Sequence, residues 1–265
     1  MKQNKYFSPQ RFVRLFQNDL LINQKTYLFT PVGLLIAVYI FSLLGMRQSN
    51  PAYIQNALYL PNFMFYTLGI IALISTAFPA LKDQIKTSNY LLLPGSTIEK
   101  YALQFVVRIV IFIPLALTIF WIGTHLAKAS LIPTPESGFD PSKIPDFHFS
   151  DIMKHVTSFR DKLVIIASIF SFATLLFAGS AYFNRFALVK TAIVVAIVSF
   201  LVILTFVIFS HIFYPAETMG FDMKLKIYEI ADNINNLQLA AYLLGCLSWI
   251  FFLVLGYFKL KEKEV

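Results

Sequence analysis

Few side chains in this sequence are of types that make or break bonds, and their spacing limits what they could do. His148, Asp151 and His155 stand at positions i, i+3 and i+7. On one helix these share a face, and three such groups could ligate zinc. Against that, Ser150 is a helix-capping residue type, which would leave His148 outside the helix and the cluster as a solvated loop face. The expectation is that the chain holds no metal and no cofactor. The single cysteine, Cys246, lies in an apolar stretch, so neither an intramolecular disulfide nor a paired-cysteine metal site can form. No GxxxxGK(S/T) phosphate loop, GxGxxG, HExxH or GxSxG run occurs. The sequence therefore predicts that this chain is not itself an enzyme and does not hydrolyse ATP.

Two polar residues stand where apolar ones are expected. Arg108 is the one full charge inside a long apolar stretch, and Gln104 precedes it by about one turn. At the centre of a bilayer an arginine costs roughly 2.5–3.5 kcal/mol on insertion scales. About two turns separate Arg108 from Lys100, so its side chain could snorkel to the headgroups or hold a structural hydrogen bond. The functional alternative is a pathway lining or a subunit contact.

The elements that would position these residues follow from composition. Of 265 residues, 57% are hydrophobic and only 14% are charged. A soluble domain carries about a quarter charged residues, so lipid is the expected solvent. The 28 Phe and 13 Tyr suit lipid-facing helices with aromatic belts. Six stretches approach the ~20 apolar residues a span requires: Tyr27–Leu44, Leu60–Leu81, Ala102–Ala127, Leu163–Phe183, Thr191–Phe213 and Leu239–Phe258. The fold class expected is all-α, a polytopic membrane bundle of six spans (27–258) with a short tail at 259–265.

The net charge of +8 is dispersed between apolar stretches and is read as setting topology, with no nucleic-acid partner. With the N-terminus inside, cytoplasmic segments carry thirteen Lys and Arg against eight outside. Nine of the fourteen acidic residues fall in the outer loops 128–162 and 214–238. Both termini are therefore expected in the cytoplasm. Residues 1–26 are polar and basic and lack the apolar core of a cleaved signal peptide. Ser8-Pro9 reads as a helix start. Phe12, Phe16 and Leu20 then recur every four residues, as in an amphipathic helix lying in the membrane interface. In 214–238, Met223, Ile227, Ile230, Ile234 and Leu237 form a helical stripe. Residues 133–145 read as an irregular loop.

The loop 82–101 is the most informative segment. Asn89, Tyr90, Leu91, Leu92 and Leu93 predict a short apolar turn of helix, broken by Pro94-Gly95. Ser96 and Glu99 then form an S-x-x-E capping box that opens the third span. The exposed turn Tyr90–Leu93 needs a covering, either the membrane surface or a cytoplasmic partner. The run L-L-L-P-G-S-T-I-E-K resembles the loop of ABC-2 type exporter permeases, in which L-x-P-x-S-x-x-E joins the second and third spans. Leu92, Pro94, Ser96 and Glu99 match that pattern. An elbow helix followed by six spans is similar to the family over most of the chain. Three features depart from it: an acidic-Gly-Thr stretch reduced to Asp83 and Thr87, a long loop between spans three and four, and a charged last outer segment. The resemblance implies a permease of the bacterial inner membrane, paired with a second copy or paralogue. It also implies docking of separate ATP-binding subunits through Tyr90, Leu91, Leu92, Leu93 and Glu99. The alternative from another class is a scaffold or assembly subunit of a membrane complex.

Overall fold

The computed structural model describes residues 7–48, 59–82, 84–132, 144–154, 156, 158–183, 186–213, 229–231 and 234–263. Helix α1 (Pro9–Ile22) is followed by α2 (Gln24–Gln48), α3 (Tyr59–Ile74), a 3-10 turn (Pro79–Lys82) and α4 (Gln84–Leu92). Helix α5 runs over Thr97–Ala129, with a π-helical segment at Val106–Ile111. A single turn, α6 (Phe149–Ile152), precedes the long helices α7 (Phe159–Tyr182), α8 (Ala187–Phe213) and α9 (Asn236–Glu262). Among the described residues, five helices are long and apolar enough to cross a membrane: α2, α5, α7, α8 and α9.

The expected second span is shorter than the sequence suggested. Helix α3 stops at Ile74 after 16 residues, about 24 Å at 1.5 Å per residue, rather than continuing to Leu81. The cause is local. Ser75 and Thr76 turn their hydroxyls onto the carbonyls of Ala72 (2.6 Å) and Leu73 (2.7 Å), competing with the helix ladder. Pro79 then lacks a donor and biases Phe78 away from helix.

The predicted helical stripe in the last outer segment is also corrected. Residues 214–228 lie outside the described residues. Ile230 and Ile234 sit in a short antiparallel ladder, β1 (Glu229–Ala231) with β2 (Ile234–Asn235). Helix starts only at Asn236, because Asn235 and Gln238 form a reciprocal capping box there.

The core is aromatic. Tyr66, Phe78, Tyr101, Phe120, Phe147 and Phe177 join α3, α5 and α7 in one buried cluster. Phe63 meets Phe120 edge-on at 5.2 Å, and Tyr101 meets Phe177 at 5.3 Å, the tilted geometry that ring quadrupoles favour. Buried hydroxyls fasten the helices: Tyr66 donates to the Ala116 carbonyl (2.7 Å) and Ser171 to that of Gly245 (2.9 Å). Gly123 lets α5 close on α2, since a Cβ there would sit 2.7 Å from Val38 Cγ1. Tyr101, near the start of α5, donates to Leu253 of α9, and Lys263 to Ala181 of α7. One end of the bundle therefore gathers α1, α4, the end of α7 and the end of α9.

Candidate functional site at the junction of helices α1 and α5

The site is built on the first turn of α5. Ser96 has extended backbone and its hydroxyl accepts from Glu99 N–H (3.2 Å), while the Glu99 carboxylate accepts from Ser96 N–H (2.8 Å). This is the capping box the sequence predicted. The carboxylate does more than cap its own helix. It also accepts from the backbone N–H of Ser8 at 2.6 Å and pairs with Arg11 at 3.1 Å. Glu99 is fully buried. It serves the N-termini of two helices at once, where anionic groups are favoured by the unsatisfied N–H donors. Gly95 makes the approach possible, because a Cβ there would lie 2.6 Å from Leu15 Cδ1 of α1.

Lys100, next to Glu99, is also buried. Its ammonium donates to the Leu91 carbonyl at 2.7 Å, in the last turn of α4. A cation at a helix C-terminus meets both the free carbonyls and the negative end of the dipole. Adjacent residues of α5 thus grip two elements: Glu99 holds α1 and Lys100 holds α4.

The predicted docking turn divides in two. Tyr90, Leu91 and Leu93 are half-buried, and the Tyr90 hydroxyl lies 3.4 Å from the Lys100 carbonyl. Leu92 alone of the four points outward, at 79% exposure. Glu99 is internal, so it acts on the loop by anchoring it. On α1 the buried residue is Leu15, whereas Leu20, expected in the apolar stripe with Phe12 and Phe16, is exposed. The stripe turns because Ser8, Arg11 and Leu15 face α5.

Beneath α1 lies a cavity of about 380 Å³, lined by Leu15, Asp19, Asn89, Tyr90, Lys100 and Gln104 among others. Gln104 donates to Asp19 at 3.3 Å. Asp19 also accepts from Asn23 at 3.0 Å and from the Tyr27 hydroxyl. Asp19 was missed by sequence reasoning, although a signal existed: it is the only acidic residue before Asp83. Arg108 packs against the start of α2. It is buried at 8% exposure, with its guanidinium 5.6 Å from the centre of the Tyr27 ring. Gln104 and Arg108 both meet the Asp19–Tyr27 pair, the first by its bond to Asp19 and the second over the Tyr27 ring.

The arrangement contains no nucleophile–base pair, and its bonds suit mechanical attachment. Among the described residues, no group of three or more His, Cys, Asp or Glu could hold a metal ion. His148 stands at the N-cap of α6 rather than Ser150, and His155 lies outside the described residues. Comparison of the chain with family models, with curated proteins and with solved structures returns no match.

Proposed function

We propose that this chain is the transmembrane permease subunit of an ATP-driven exporter of the ABC-2 type, coupled to separate ATPase subunits through the loop 82–101. The observation that carries the reading is the double attachment of that loop. Leu92 is offered to a partner while Lys100 and Glu99 fix the elements behind it to the first turn of α5. A force applied at Leu92 is passed into a span instead of being lost in a slack loop. The sequence resemblance at Leu92, Pro94, Ser96 and Glu99 supports the same assignment.

On this reading the end bearing α1, α4 and the last turn of α9 is cytoplasmic, and α1 lies in the interface of the bacterial inner membrane. Helix α3, the second span in chain order, then brings the spans to six. Its 16 residues fall short of the ~30 Å hydrocarbon core, a mismatch that local thinning of the bilayer accommodates. A second permease copy or paralogue completes the pathway, and the ATPase subunits supply the energy.

The test is recovery of a phosphate-loop ATPase encoded beside this chain with the affinity-purified full-length protein. Leu92→Ala removes an exposed side chain that holds nothing else in place. It should weaken ATPase recovery about tenfold, or ~1.4 kcal/mol, without altering thermal stability. Tyr90→Ala should weaken both, because Tyr90 also packs against α5. If wild type recovers no ATPase, or Leu92→Ala recovers as much as wild type, the weight moves to a scaffold subunit.

A further inference from the structure

Arg108 lines a second, smaller groove of about 170 Å³ between α1, α2 and α5. Its walls are Phe16 and Leu20 of α1, Tyr27, Thr30 and Pro31 of α2, and Val107, Ile111, Phe112 and Leu115 of α5. The groove is apolar except for Arg108, the Tyr27 hydroxyl and Thr30. Arg108 is more than nine-tenths buried, its Nε has no hydrogen-bond partner, and it forms no ion pair with a described residue. The nearby carboxylate, Asp19, keeps its charge but spends its oxygens on three neutral donors, Tyr27, Asn23 and Gln104, and forms no ion pair with Arg108. A cation among apolar walls with no anion directly paired to it is costly to keep, and an intramembrane cation normally has an identifiable partner.

The shape of the groove selects that partner. Arg108, Ile111, Phe112 and Leu115 follow one another along one face of α5, leading away from Lys100. Past the charge the wall is purely apolar, and Ile111 (46%) and Leu115 (41%) are open to the surroundings. Leu20, on the other wall, is exposed as well. One positive group at the top and an open apolar strip below it match an amphiphile with an anionic head. A guanidinium binds phosphate oxygens with a two-pronged fork, and basic pockets between membrane helices take lipid headgroups.

We propose that the groove binds the phosphodiester of an anionic phospholipid, with Arg108 on the phosphate oxygens and an acyl chain along Ile111 and Leu115. The lipid supplies the direct anionic contact that Arg108 lacks and ties α1 to α5 at Phe16 and Leu20, farther along α1 than the Glu99 bonds at Ser8 and Arg11. The site requires a membrane but no transport activity, so it stands independently of the exporter reading.

The test uses full-length protein, delipidated in detergent and titrated with phosphatidylglycerol, with phosphatidylcholine of identical chains, or with inorganic phosphate. Native mass spectrometry counts retained lipid, and the melting temperature reports stabilisation. Wild type should retain one phosphatidylglycerol about tenfold more tightly than phosphatidylcholine. Arg108→Gln should abolish that preference, and Arg108→Lys should keep part of it, because an ammonium supplies the charge without the fork. In Ile111→Trp, which leaves the charge in place, the added fluorescence should be quenched more by brominated phosphatidylglycerol than by the brominated phosphatidylcholine. Equal retention of both lipids by wild type overturns the proposal, and this arm decides even where Arg108→Gln does not fold. Undiminished preference in folded Arg108→Gln overturns it too. Stabilisation by inorganic phosphate equal to that by phosphatidylglycerol would make this a free-anion site and overturn the lipid assignment.

Discussion

Two ion pairs at opposite ends of the bundle invite comparison. At the far end, Lys128 at the end of α5 meets Asp146 at 2.7 Å, with Asp146 56% exposed. At the junction, Arg11 of α1 meets Glu99 of α5 at 3.1 Å, with Glu99 fully buried. By distance the first looks stronger. Water reverses the ranking, since an exposed pair gains little and is screened by salt. A buried carboxylate whose partner is removed has no water to replace it. Glu99 also satisfies two backbone donors, whereas Asp146 satisfies a lysine that water can serve as well. Burial and the number of donors served decide which pair holds the fold.

The sharpest way to break this comparison is at Glu99. Glu99→Ala strands the N–H groups of Ser8 and Ser96 and leaves Arg11 without its anion. It should cost about 3 kcal/mol, a little eased by the partial exposure of Arg11. Glu99→Gln keeps acceptors but not the charge and should cost about half of that. Thermal unfolding of the detergent-solubilised protein measures both. A Glu99→Ala protein no less stable than an Asp146 variant would refute the ranking.

A smaller effect is expected at Lys100. Lys100→Met keeps most of the side-chain volume and removes the bond to the Leu91 carbonyl. Since it deletes a buried charge outright, global stability should change by no more than about 1 kcal/mol. Locally, amide exchange over residues 84–93 should rise, because the C-terminal carbonyls of α4 lose their cation. Unchanged exchange there would mean that Lys100 does not clamp the loop.

The smallest effect belongs to the far pair. The hydrogen bond and charge of Lys128 hold the Asp146 carboxyl below the usual carboxylate range. A pKa depressed on folding contributes stability above the unfolded value, near 4, and loses it as the pH falls through the folded value. Asp146 is more than half exposed, so the contribution is screened. Asp146→Asn should leave the melting temperature unchanged at neutral pH in physiological salt. A drop of several degrees, relieved at acid pH, would show the exposed pair to be a structural one.

What the sequence reveals depends on how far apart the interacting residues lie. The capping box spans three residues, so Ser96 and Glu99 could be read as a pair from spacing alone. The same carboxylate's bond to Ser8 joins residues 91 apart, and no local pattern encodes it. Lys100 and Leu91 are only nine apart, yet the Pro94-Gly95 turn that folds one over the other has no periodicity. The orientation of the Tyr90–Leu93 turn was hidden for the same reason. Four apolar residues in a row look equally exposed until α5 covers Tyr90 and leaves Leu92 outside. The long spans were legible because apolar length is a property of one segment. The early end of α3 was not, because Ser75 and Thr76 are also tolerated inside membrane helices and only their hydrogen bonds show the stop.

The π-helical segment Val106–Ile111 has a consequence for how this chain tolerates changes of length. A π turn fits one more residue into a helix than the α ladder needs, and each residue of an α-helix turns the next by about 100°. The face presented by Thr97–Phe105 is thus out of phase with that presented by Phe112–Ala129. A single period laid over the whole span blurs its pattern. Losing one codon within Val106–Ile111 would restore regular helix without breaking the chain's hydrogen bonding. It would also leave the two halves facing as they do now, because the π turn already absorbs the extra ~100°, so the grip on α1 and α4 and the fit of Gly123 against Val38 would both survive. A one-residue deletion in the regular helix on either side would instead rotate one half by about 100° against the other and be felt at one of its two ends.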